Sequence, residues 1–295
     1  SLMLALRYAL FPLLWLLGLI SVACVLAYAA LLVLGDVLPV SKLISKITLA
    51  CLVLSVFPLK RYLALSWQDL GFTPWPQFLR QIKSGLLLGV WTLLPVMICL
   101  YVLDVQVWDY AREWTWTKVV KKVSLALFFA LLIGLGEELL FRGLLMAALR
   151  QKMAVIAAML FSSGYYAFLH FLKPSTQIAY ADLNLLAVWR LIPEAFANWL
   201  NPEIYTALLA LFVVGLFLSV IRTRVRHSLG LCIGCHAGWV WQIKVCKDLF
   251  ELNHQSAYLY LVSSYDGVIG PLVTVWLMVA MLALIVFARR QAAKH

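Results

Sequence analysis

Glu137 and Glu138 lie side by side in a run of apolar residues, 125–149, and Arg142 follows four positions after the second of them. A stretch this long and oily reads as a membrane-spanning helix. Each charge at its centre costs about 2.5–3.5 kcal/mol on the mildest insertion scales, so these side chains must face protein or a water-filled cavity. Spacing on a helix divides their labour. Glu138 and Arg142 are four apart on one face and can pair. Glu137 points about 100° away and is left to another partner. One carboxylate is then held ionised while the other can accept or deliver a proton, which is the equipment of general acid–base chemistry. A bland alternative is an ion-pair cluster that only fixes helix packing.

Two histidines lie in other apolar runs. His170 closes the segment Tyr165-Tyr166-Ala167-Phe168-Leu169-His170, with Tyr166 one turn before it on the same face. His236 sits in Gly234-Cys235-His236-Ala237-Gly238-Trp239. A single intramembrane histidine is commonly a packing residue. Two of them beside a Glu-Glu-x-x-x-Arg helix point instead to a water positioned by Glu137, His170 and His236 from three helices. Gly234 and Gly238 flank His236 and allow neighbouring helices to approach closely.

These residues need a scaffold in the membrane. Of 295 residues 64% are hydrophobic and 13% charged, with a mean hydropathy of +0.95. That balance excludes an ordinary soluble domain and predicts an all-α, polytopic transmembrane helix bundle. Apolar runs fall at 8–34, 43–59, 84–104, 122–150, 154–172, 204–221, 229–246 and 267–288, about eight helices in a single transmembrane domain over 1–295. The first run is too long for a signal-peptide core and reads as a retained anchor. Residues 60–83 and 173–203 mix basic residues, aromatics and prolines, the composition of interfacial segments, and the second could form a lid.

Lys and Arg outnumber Asp and Glu 24 to 13. The excess lies between and beside the apolar runs, which suits cytoplasmic loops and anionic lipid headgroups rather than nucleic acid. Clusters such as Arg222, Arg224 and Arg226, and Arg289, Arg290 and Lys294, favour both termini inside, in a multi-pass protein for which a bacterial inner membrane is the expected setting. Cys232 and Cys235 form a CxxC, but inside a hydrophobic helix and without a second pair they read as packing.

In order and on separate helices, Glu137-Glu138-x-x-x-Arg142, Tyr166-x-x-x-His170 and His236-x-x-x-Val240 resemble the three motifs of the CPBP family, over a core of about 122–247. This family holds CAAX-processing and Abi-type intramembrane proteases, of which the structurally known members are assigned a glutamate mechanism. The resemblance implies an eight-helix membrane enzyme that hydrolyses a peptide bond of a membrane-associated protein or peptide. It implies Glu137 as general base on water, His170 as its orienter and His236 at the tetrahedral oxyanion, with Glu138, Arg142 and Tyr166 in support. The chain departs from the family pattern twice. Tyr166 stands where Phe is usual, which keeps the ring and adds a hydroxyl. Val240 stands where Asn or Asp is usual, which removes a donor to the oxyanion, a loss that typically costs about 10²–10³ in rate. Trp239, Trp241 or Gln242 could substitute, or this branch is slower, differently tuned or not proteolytic.

Two other classes fit less well. A non-catalytic immunity or scaffold protein of the same fold would need no turnover. A proton-linked transporter usually carries internal repeats with matching broken helices, and none is visible. No cofactor is expected. Glu137, His170 and His236 could hold Zn²⁺ with an open position for water, although the zincin pattern of two histidines four apart on one helix is absent.

Overall fold

A computed structural model describes residues 2–294. The chain is a helix bundle, with ten α-helical segments among the described residues: α1 (Leu2–Leu34), α2 (Val40–Tyr62), α3 (Trp75–Val102), α4 (Trp116–Glu138), α5 (Met146–Arg150), α6 (Val155–Leu169), α7 (Leu185–Ala197), α8 (Tyr205–Arg224), α9 (Leu229–Leu249) and α10 (Pro271–Ala292). A π-helical segment, Leu139–Leu145, joins α4 to α5, so the three form one continuous rod. Six helices among the described residues are long and apolar enough to cross a membrane. The protein is an integral, multi-pass membrane protein.

Each of the eight expected runs forms a helix, and the count differs because 173–203 contributes α7. Of the eight, α6 spans only 15 residues and α9 is broken up by polar residues, so neither meets the length and hydropathy of the other six. The start of the third helix is corrected from 84 to Trp75. Pro74 caps it and Pro76 occupies its first turn, where a missing N–H costs nothing. The interfacial composition of 75–83 concealed that helical turn.

Bilayer helices turn apolar side chains outward, so burial separates inner from outer helices. Two-thirds of the apolar window of α8 is buried, against 17–28% in the other five. α8 is therefore an inner helix, and it packs on α6, α9 and α10. The closest pairing is α3 with α9. A Cβ added to Gly234 would lie 2.2 Å from the Ile82 carbonyl oxygen, and one added to Gly85 would lie 2.4 Å from that of Leu231. Gly89 and Gly238 repeat the contact one turn on. Backbone meets backbone here, as small residues allow in membranes.

Past their C-terminal ends the same two helices are joined again. β1 (Gln106–Trp108) and β2 (Phe250–Leu252) pair antiparallel, with Val107 opposite Glu251. Loops at the other end are tied by Gln151 Nε2 donating to Leu63 O, Leu229 N to Gly71 O, and a contact between His227 Nδ1 and Gln68 O. The bundle thus has a strand end and a loop end.

In 173–203, α7 lays Val188 and Leu191 against Cys24, Ala27 and Leu31 of α1. Glu194 latches this segment by accepting from Ser175 Oγ at 2.9 Å, Thr176 Oγ1 at 2.8 Å and the Thr176 amide. These hydrogen bonds to the charged form hold the Glu194 carboxyl below its ordinary range.

Candidate active site

α4 ends at Glu138, and the wider π turn begins on the next residue. Such turns tilt carbonyls outward and recur at functional sites. Two carbonyls of this turn take side-chain donors from neighbouring helices. Ser162 Oγ of α6 donates to Phe141 O at 3.0 Å, and Arg222 Nε of α8 donates to Arg142 O at 3.2 Å. Arg222 also reaches the Asp69 carbonyl through Nη2 at 3.0 Å. Its guanidinium presses on Gly71, where a Cβ would lie 2.8 Å from Cζ and φ is +100°. Backbone that close to a side chain in that conformation requires glycine.

The turn delivers Glu138 and Arg142 to the interior, both wholly buried, with Nε and Oε2 3.3 Å apart. Distance makes this an ion pair, but the bond directions are poor, and no guanidinium nitrogen finds an aligned acceptor. The Tyr166 ring supplies part of the compensation. Arg142 Cζ stands 4.4 Å from its centroid, a cation–π contact strengthened by the absence of water.

His236 Nδ1 lies 2.7 Å from Glu138 Oε1. A carboxylate paired with arginine accepts, so this nitrogen carries the hydrogen and Nε2 is turned to Glu137 Oε2, 3.3 Å away. His170 is set the same way. Its Nδ1 donates to the Tyr166 carbonyl, which can only accept, and Nε2 faces Glu137 Oε1 at 3.2 Å. Both rings are oriented through one nitrogen and present the other to the same carboxylate. Glu137 is therefore held on both oxygens, each contact able to share one proton.

Glu137, Tyr166, His170, His236 and Val240 line one cavity of about 480 Å³. Lys247, Tyr265 and Asp266 line it too, at the strand end. On its other side Glu137, with His170, reaches a second cavity of about 200 Å³, walled by residues of α1, α2 and α7 that include Ser41, Ser45 and Thr48.

All six of the singled-out residues, Glu137, Glu138, Arg142, Tyr166, His170 and His236, thus gather in one place, and Val240 lies on the cavity wall. Four residues at the site escaped sequence reasoning: Ser162, Arg222, Tyr265 and Asp266. Arg222 looked like a positive-inside charge at a helix end, and its only distinguishing signal is the apolar sequence before it. Tyr265 and Asp266 fall between the apolar runs 229–246 and 267–288, where nothing in the sequence pattern marks a site. Burial pushes the Tyr265 phenol upward, reinforced by the negative Asp266 and Glu137. Burial also raises Asp266, against the amides of Val268 and Ile269 that it accepts.

The residues proposed as substitutes for a missing oxyanion donor are engaged elsewhere. Trp239 Nε1 donates to Thr92 Oγ1 at 2.7 Å, Trp241 Nε1 to Val123 O at 3.0 Å, and Gln242 Nε2 to Gly89 O at 3.1 Å and Gly238 O at 3.0 Å. Cys232 and Cys235 are buried free thiols. Among the described residues no three His, Cys, Asp or Glu side chains are arranged as a metal site, since the two Nε2 atoms turn to separate oxygens of one carboxylate.

This geometry coincides with a family match. Residues 119–242 match the Rce1-like family. The model is that of the type II CAAX prenyl endopeptidase Rce1-like family, and the matched segment carries all three motifs. The resemblance to CPBP proteases is borne out over this segment, which is similar to a CAAX-type endopeptidase family. No curated protein and no solved structure matches the chain.

Proposed function

We propose that this protein is an intramembrane endopeptidase that cuts a peptide bond in a membrane-associated protein or peptide, with Glu137 as the general base. The observation that carries this reading is Glu137 held between two histidine Nε2 atoms at the wall of a cavity of about 480 Å³. A base needs reach and a shared proton, and both are provided for.

The steps balance without a redox partner. A water entering from the cavity loses a proton to Glu137 while its oxygen bonds to the peptide carbonyl carbon. The π pair of the carbonyl moves to its oxygen. The tetrahedral adduct then collapses, the C–N bond breaks, and the leaving nitrogen takes the proton back from Glu137. One peptide and one water become an acid and an amine. His170, fixed by the Tyr166 carbonyl, orients the carboxylate. His236, fixed by Glu138 through Nδ1, holds the second oxygen of Glu137 through Nε2. Glu138 and Arg142 hold that ring rather than touch the substrate. The basic clusters at the loop end, Arg222, Arg224 and Arg226, support an orientation with that end and both termini in the cytoplasm.

The test is Glu137→Gln in the full chain, reconstituted in liposomes and offered a pool of acylated, internally quenched peptides. We expect cleavage to fall by roughly 10³-fold or more with unchanged insertion and melting. Near wild-type cleavage by the variant would reject the assignment. Val240, without a donor, favours the competing reading of a non-catalytic scaffold, for which neither protein would cleave at all.

A further inference from the structure

Hydrolysis of an amide places a full negative charge on the carbonyl oxygen, and donors aimed at that point are usually the largest single source of rate. The wall one turn after His236 offers none. Val240 is apolar, and the polar residues around it, Trp239, Trp241 and Gln242, donate their hydrogens to Thr92, Val123, Gly89 and Gly238. A cavity otherwise equipped for the reaction is missing a part.

Two phenols line the same cavity. Tyr166 lies on α6, its ring 4.6 Å from that of His170 and 5.9 Å from that of His236. It is clamped between Arg142 on its face and Phe141 at its edge, with centroids 5.4 Å apart. Tyr265 lines the cavity from the loop before α10, with its ring 5.3 Å from Phe171. That loop is tied by Asp266 Oδ1 accepting from the Val268 and Ile269 amides, and by Ser263 Oγ donating to Ile269 O. Neither hydroxyl donates to a protein group among the described residues. Each keeps one O–H free for the cavity.

We propose that the Tyr166 and Tyr265 hydroxyls are the oxyanion donors of this site, in place of the side chain that Val240 lacks. This rests on the hydrolase reading. It also joins the two departures from the family motifs into one change. A donor lost from α9 is regained on the facing wall, where Tyr replaces Phe, and from a loop outside the matched segment 119–242. Burial together with the negative charges of Asp266 and Glu137 keeps the proton on Tyr265, so the phenol stays a donor throughout the neutral range. In the tetrahedral adduct each O–H points to the same oxygen. No proton is transferred, and the donors relax as the C–N bond breaks.

The experiment uses the reconstituted full chain and the peptide pool, measuring kcat and KM separately on the fastest-cut peptide. Tyr166→Phe and Tyr265→Phe should each lower kcat by about tenfold, and the double variant by about 10²–10³, with KM and melting unchanged. Adding Val240→Asn to the double variant should recover about tenfold or more, because an amide on α9 would return a donor to the old position. A double variant with wild-type kcat, or one affected only in KM, would overturn the proposal, as would a Val240→Asn addition that recovers nothing. Glu137→Gln run alongside separates the two claims. If it is inactive while the double variant is unaffected, the hydrolase reading stands and the oxyanion assignment falls. If wild type shows no Glu137-dependent cleavage, both fall.

Discussion

The two faces of α9 do opposite work. Gly234 and Gly238 press on α3 so closely that carbonyl oxygens stand where side chains would be. His236 lies between them in sequence and, at about 200° from each, on the opposite face. One face has no side chains and no freedom. The other has a single ring that must meet two carboxylates at once, at 2.7 and 3.3 Å. The glycine face fixes the depth and rotation of the helix, and β1–β2 fixes it again at the strand end. The histidine face then needs no adjustment of its own. Precision at the site comes from the backbone contact behind it.

The largest disturbance of this arrangement should come from the chemical face. Arg142→Ala leaves Glu138 buried with only His236 against it, and removing one partner of a buried pair typically costs about 3–5 kcal/mol. Melting in detergent should fall accordingly, and cleavage with it. Unchanged melting with lost cleavage would move Arg142 from support into the chemistry.

Next comes the glycine face. A single methyl at Gly234 meets the backbone at Ile82 and Leu86, which cannot turn aside as a side chain would. Overpacking of this kind costs about 1–3 kcal/mol, and Gly234→Ala should lie at the upper end. It should also reduce turnover more than its stability loss explains, since α9 must shift or turn and take His236 with it. If turnover is kept in full while stability drops, the two faces are independent and the comparison fails.

Much of this was legible in the sequence, for physical reasons. Charges in an oily run are costly, so Glu137, Glu138 and Arg142 announced themselves, and hydropathy alone outlined the eight bundle helices. The role of Gly234 and Gly238 followed from their size, although the reciprocal pair Gly85 and Gly89 on α3 did not. What stayed hidden was long-range or conformational. The π turn at 139–145 has the same composition as an α-helix, and only the donors from Ser162 and Arg222 mark it. β1 and β2 are three residues each, 144 positions apart at their midpoints by register, too short and too distant for a pattern to appear. Tyr265 is a loop tyrosine until the fold folds it over the cavity.

The smallest effect sharpens the comparison from the other side. Gly18 sits within α1, and a Cβ added there meets nothing within 4 Å. If the glycines of α9 matter because of close approach, then a helical glycine without close approach should be dispensable. Glycine also keeps more freedom in the unfolded chain and is the poorer helix former, so alanine at an unstrained site gains about 0.4–1 kcal/mol. Gly18→Ala should therefore raise melting slightly and leave turnover untouched, opposite in sign to Gly234→Ala. A loss of stability comparable to that of Gly234→Ala would mean that α1 presses on a surface outside this chain, and that glycine in this bundle does not report backbone contact.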